Sequence, residues 1–133
     1  MNHSADVQKI QLQLVQIFET LGITKQDLHE KLHTRVTFDR RKGTFGRAHF
    51  SVKTNLNDET YYEANISFST VLWPQVSEKH HLNTIIHEAC HIADFFFWKE
   101  AGLRGYPSGH GSRWQTLMRK AGIEDPQRCS GLY

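Results

Sequence analysis

The chain has 133 residues, enough for one hydrophobic core and too few for two independent ones. Its 38% hydrophobic and 23% charged residues describe a globular chain, and no apolar run approaches the roughly 20 residues of a membrane-spanning helix. A formal net charge of +2 excludes no class of partner, so the local distribution of charge matters more. Cys90 and Cys129 are too few for a disulfide framework, and Cys129 reads as an ordinary thiol. The start, Met1 to Asp6, has neither a basic segment nor an apolar run, so secretion is not indicated. A monomeric, cytoplasmic protein is expected, with a nucleoid or, in a eukaryote, nuclear location as the alternative.

Residues from about Asp6 to Leu21 follow the helical period through Val7, Ile10, Leu14, Ile17, Phe18 and Leu21, with Gly22 as the stop. Thr24 and Asp27 form a capping-box pattern that opens a short helix to about Leu32. After His33 the pattern turns to strands. Arg35–Phe38, Thr44–Lys53 and Tyr61–Leu72 are expected to form a three-stranded sheet, with Gly46 at a bulge or a close backbone approach and Pro74 ending it. The third strand, around residues 61–70, is expected at the sheet edge. Arg35, Arg40, Arg41, Lys42, Arg47 and Lys53 cluster here, opposed by Asp39 alone, and such a group can follow a phosphate backbone. Arg40, Arg41, Lys42 and Arg47 are the candidate DNA contacts; an ordinary solvated hairpin is the competing reading.

A helix is expected to begin between Ser77 and Asn83 and to run to about Lys99. It carries His87-Glu88-Ala89-Cys90-His91, the pattern H-E-x-x-H. Residues four apart share a helix face, so His87 and His91 can each give one ring nitrogen to a single metal. Glu88 lies about 100° around the helix from His87 and can reach a water on that metal as general base. Ile85, Ile86, Ala89, Ile92 and Ala93 sink the helix into a core, where two histidines and a glutamate need partners. Core histidines satisfied by hydrogen bonds are the alternative. His80 and His81 read as exposed first-turn residues. Asp94 follows His91 by three positions and can orient a ligand imidazole or simply face solvent. Phe95, Phe96, Phe97 and Trp98 cannot all face inward; some should pack on the N-terminal helices, and a base-stacking surface is the weaker alternative.

A catalytic zinc site has three protein ligands and an open position. The longer pattern H-E-x-x-H-x-x-G-x-x-H fails, because Asp94 and Phe97 stand where its glycine and third histidine would be. Glu100 is about 13 Å further along the same helix, out of reach, and Glu124 follows Gly122 in a surface turn. His110 lies 19 residues beyond His91, after a loop with Gly102, Gly105, Pro107 and Gly109, and opens a helical pattern to about Gly122. It is the best third ligand, with Trp114 and Met118 packing beneath it.

These segments, Ile86-His87-Glu88-Ala89-Cys90-His91 and Gly109-His110-Gly111-x-x-Trp114-x-x-x-Met118, resemble the SprT-like metalloprotease domain, the domain also found in Spartan. Asn65–Ser69 and the trailing Gly122-x-x-x-x-Pro126-x-Arg128 are similar to it too, so the resemblance spans roughly Val36 to Arg128. It implies one α+β domain of zincin-like minimal fold over residues 1–133, with N-terminal helices to about 33, a sheet at about 34–73 and metal-site helices at about 77–122. It also implies a zinc peptidase with ligands His87, His91 and His110 and Glu88 as base, acting on DNA-bound or DNA-crosslinked protein. Many relatives continue into a four-cysteine zinc ribbon, which has no counterpart among these residues. Support for single- or double-stranded DNA therefore rests on the basic hairpin and Phe95–Trp98.

The leading expectation is a zinc-dependent endopeptidase, with Tyr106 as a candidate oxyanion donor. The substrate is expected to lie extended along the sheet edge with little sequence specificity. A DNA-binding module with a structural zinc is the alternative. A metal hydrolase of small substrates is a third reading.

Overall fold

The computed structural model describes residues 3–107 and 109–126. They form a mixed α+β arrangement of four α-helices and a three-stranded sheet. Cys129 and Arg128 lie outside the described residues. No described helix is long and apolar enough to cross a membrane.

Helix α1, Ser4–Leu21, buries Ile10, Leu14, Phe18 and Leu21, a stripe at the spacing its sequence dictates. Gly22 ends it in the left-handed conformation (φ 98°), and the Ile23 N–H returns 2.8 Å to the Phe18 carbonyl. In α2, Lys25–Glu30, the capping box is complete: Thr24 Oγ1 accepts from the Asp27 N–H, and the Asp27 carboxylate accepts from the Thr24 N–H, both at 3.0 Å. This helix is shorter than expected because Leu32, fully buried, already begins the first strand.

Strands β1 (Leu32–Asp39), β2 (Gly46–Thr54) and β3 (Thr60–Ser69) take the order β1-β3-β2, with β1 parallel and β2 antiparallel to β3. The third strand is therefore central, which overturns its expected place at the edge. Its Ser67 and Ser69 are both buried. Ser69 Oγ donates to the Arg41 carbonyl and accepts from the Leu72 N–H, so the hydroxyl caps the chain rather than facing water. That bond also ends the strand before residue 70, and Trp73–Gln75 form a 3-10 turn instead.

Helix α3, Glu78–Glu100, starts on Ser77, whose side chain accepts from the His80 N–H. It buries every residue from Thr84 to Cys90 and lies against the inner sheet face, with Phe95 stacked 4.7 Å from Phe50 and Tyr62 edge-on to Phe95 and Phe96. Phe95 and Phe96 thus meet the aromatic side chains of the sheet, while Phe97 is exposed. His81 and His80 are half-buried, not exposed: His81 stacks on Trp73 at 3.7 Å and its Nε2 donates to the Trp73 carbonyl, while His80 meets Phe45 edge-on. Helix α4, Ser112–Lys120, begins two residues after His110, leaving that histidine on the approach to it.

Gly46 is a close approach. A Cβ there would sit 2.7 Å from Thr84 Cγ2 and 3.3 Å from Phe68, so β2 lies directly on α3 one turn before His87. Gly46→Ala is expected to destabilise the chain by about 1–3 kcal/mol through overpacking. Adding Thr84→Ser, which removes the obstructing methyl, should restore most of the loss in urea denaturation.

Candidate metal centre

Local helix geometry places His87 and His91 on one face of α3, and the loop before α4 brings His110 over it. The three Nε2 atoms converge: His87 to His91 is 3.2 Å, His87 to His110 3.2 Å, and His91 to His110 3.1 Å. Imidazoles bound tetrahedrally at 2.0–2.1 Å would hold their nitrogens roughly 3.3 Å apart. A neutral imidazole has one N–H, so three nitrogens in a triangle cannot all satisfy one another by hydrogen bonds. The donor set fits a metal ion, and among the described residues this is the group of histidines, cysteines and acids able to hold one.

Trp114 seals the base. Its ring lies 4.9, 5.4 and 4.5 Å from the His87, His91 and His110 rings, its Nε1 donates to the His87 carbonyl, and it is 1% exposed. Met118, fully buried one turn on, continues the same wall. The Gln115 side chain donates to the His110 carbonyl at 2.9 Å, fastening the third histidine to α4. Glu88 Oε1 sits 3.8 Å from His87 Nε2, beside the triangle rather than within it.

Burial dominates the electrostatics. It holds His87 down at about 3 and His91 at about 4, and the neighbouring imidazoles push both the same way. Burial also lowers His110. The histidines therefore enter neutral, the form that binds a metal. Burial raises Glu88 to about 7, against the pull of the Arg41 guanidinium, and lifts the Cys90 thiol to about 12, so that thiol is inert.

The structure separates the other candidates. Asp94 is 4% exposed, so it is no surface carboxylate, and its oxygens are taken by Arg113 (2.8 and 3.2 Å) and the Tyr106 hydroxyl (2.8 Å) rather than by a ligand ring. Tyr106 correspondingly donates its proton to Asp94 and not into the site. Arg41 is turned inward and leaves the set of DNA-facing cations. Its side chain is 17% exposed, its Nη2 donates to the Ser67 carbonyl at 2.8 Å, and its Nε is 3.1 Å from Asp39 Oδ1. Arg40 and Lys42 on the turn and Arg47 on β2 are all exposed, as a phosphate contact needs. Arg113, which the sequence reading passed over, is the missing partner. Its signal was the Asp94–Arg113 charge pair on segments that His110 must bring together.

These shifts give the metal-free chain a distinct acid response. His87 and His91 have folded values below the ordinary 6.5, so their stabilisation is present above pH 6.5 and is lost as pH falls toward 4. Glu88 has the opposite sign: its raised value favours the fold below pH 4.5, and that gain is lost as pH rises toward 7. Between pH 6.5 and 4.5 the unfolded chain takes up two imidazole protons against one already on Glu88, so these groups cost about 1.4 kcal/mol per pH unit of acidification. Glu88→Gln should steepen the measured slope by about 1.4 kcal/mol per pH unit in denaturation of metal-free protein.

A model of the SprT-like family matches residues 13–130. No curated protein and no solved structure matches the chain. The family is a metal-dependent, metalloprotease-type domain, and its match runs from within α1 through the three histidines to beyond α4. The chain belongs to the SprT-like family.

Proposed function

We propose that the chain is a zinc-dependent endopeptidase of zincin-like minimal fold, in which His87, His91 and His110 hold the metal and Glu88 is the general base. The observation that carries this reading is the triangle of neutral Nε2 atoms with one buried carboxylate beside it. Zinc bound there supplies Lewis acidity, which brings a water's pKa to roughly 7 and polarises a carbonyl. Glu88 takes the proton of the attacking water and returns it to the leaving amine. Trp114 keeps water from the base of the site and fixes the imidazole planes. An extended substrate pairs with the free edge of β2, the edge strand whose Gly46 and Phe50 lie on α3.

The substrate class is protein bound or crosslinked to DNA. Support on this chain comes from the outer sheet face, where strand register sets His33, Glu63 and Ser51 in one row, Arg35, Asn65 and His49 in the next, and Thr37, Ser67 and Arg47 in a third. An open depression of about 480 Å³ lies across the first two rows, and Arg40 and Lys42 are exposed on the turn that follows β1. Single- and double-stranded DNA both fit a face that offers phosphate contacts without base readout.

Glu88→Gln should retain stoichiometric zinc and lose about 10²–10⁴-fold in cleavage of a basic DNA-binding protein; cleavage at the wild-type rate sinks the mechanism. The same assay with no DNA, single-stranded DNA or double-stranded DNA tests the substrate class, which fails if DNA has no effect. A DNA-binding module with a structural metal would instead bind DNA and cleave nothing in any arm. Lys42→Glu with Arg47→Glu should weaken DNA binding and lower the slope of log K against log salt by about 2. Unchanged affinity and slope would remove this face from the reading.

A further inference from the structure

Two of the three histidines are placed by one rigid helix. The third depends on the loop between Ala101 and Gly111, where Gly102, Gly105 and Gly109 hold φ of 78°, 63° and 140°. Such a segment has much conformational freedom to lose before His110 meets the other rings. Side chains pin it at successive points. Trp98 Nε1 donates to the Arg104 carbonyl at 3.2 Å, the Tyr106 hydroxyl to Asp94 at 2.8 Å, and Arg113 Nη2 to the Pro107 carbonyl at 3.1 Å.

Two of these pins meet on Asp94. Its buried carboxylate takes the forked guanidinium of Arg113 at 2.8 and 3.2 Å, and the Trp98 ring covers that guanidinium at 4.6 Å. Asp94 thus stands one turn beyond His91 on α3, tied to the chain just before His110 through Tyr106 and to α4 just after it through Arg113. Neither H-E-x-x-H nor G-H-G-x-x-W demands an acid at this position or an arginine at 113. We propose that Asp94 is the positioning residue for the third ligand: its clasp on Tyr106 and Arg113 sets where His110 Nε2 stands relative to His87 and His91, and hence how tightly the chain holds its metal. The proposal rests on reading the triad as a metal site.

The test is Zn²⁺ affinity of the full chain, by competition with a chromophoric chelator, with melting of the metal-free protein followed alongside. Asp94→Asn should weaken binding by about 10–100-fold, the range for partners that orient metal ligands. Tyr106→Phe, which removes one hydroxyl and little else, should shift it the same way by a smaller factor. In a His110→Ala background, where the third ligand is already gone, Asp94→Asn should cost no further affinity. A merely structural role would lower the melting temperature and weaken binding equally with and without His110. That equal loss overturns the proposal, as does wild-type affinity in both Asp94→Asn and Tyr106→Phe. Should Asp94→Asn not fold, Tyr106→Phe decides alone. Wild-type protein that binds no Zn²⁺ removes the metal-site reading and this proposal together, whereas zinc-binding protein indifferent to these variants removes only the positioning role.

Discussion

Everything in this chain is arranged around three imidazole nitrogens held within 3.2 Å of one another, with His87 buried, His91 half-buried and His110 open to solvent. Lone pairs brought that close repel unless a proton or a cation stands among them. The surrounding burial disfavours the proton, as the lowered His87 and His91 values express. A cation at the centre uses all three lone pairs at once, which hydrogen bonds within the triangle cannot. The apolar environment that makes the empty arrangement costly also makes it selective for the neutral, ligating form of each ring.

The same burial distributes opposite charges on either side of the centre. Arg41 acts on Glu88 from the turn after β1, and Asp94 acts on His91 and Cys90 from the far end of the helix. Each is itself paired, Arg41 with Asp39 and Asp94 with Arg113, so neither is an isolated charge in the interior. Arg41 Nη1 is buried with no hydrogen-bond partner among the described residues, which leaves its charge poorly compensated on that side and directed toward its surroundings. The proton affinity of Glu88 is set by desolvation first and this cation second, so the carboxyl owes its range to packing as much as to chemistry.

What could be read from the sequence was what local rules encode. Gly22, the Thr24–Asp27 box and the apolar run around His87 have meaning within a turn or two of chain, and the structure agrees with them. His110 was legible as the best third candidate, since Glu100 is out of reach along the helix and Glu124 was the poorer choice, and the structure brings it to His87 and His91. Strand order was not, because alternation along β3 records which faces are buried and not which strands lie alongside it. Arg41 misled because a count of cations cannot tell which one folds inward. Asp94 was noticed for its spacing from His91, yet spacing fixes only the helix face, and its partners come from segments 12 and 19 residues away.

This division has a physical consequence for sites of this kind. Ligands four residues apart on one helix are brought together by helix formation itself, and packing of α3 against the sheet holds them without further ordering. A ligand delivered from a glycine-containing loop has to be ordered separately, and that cost is subtracted from whatever the metal contributes. The motif on the helix can therefore be identical in two chains whose metal affinities differ widely, because the difference resides in how the returning loop is fastened. Here the fastening is ionic and aromatic, from a carboxylate buried on the ligand helix and a guanidinium under an indole, with the Gln115–His110 bond closing the other end. On the metal-site reading, the strength of the centre then depends also on contacts that contain no ligand atom.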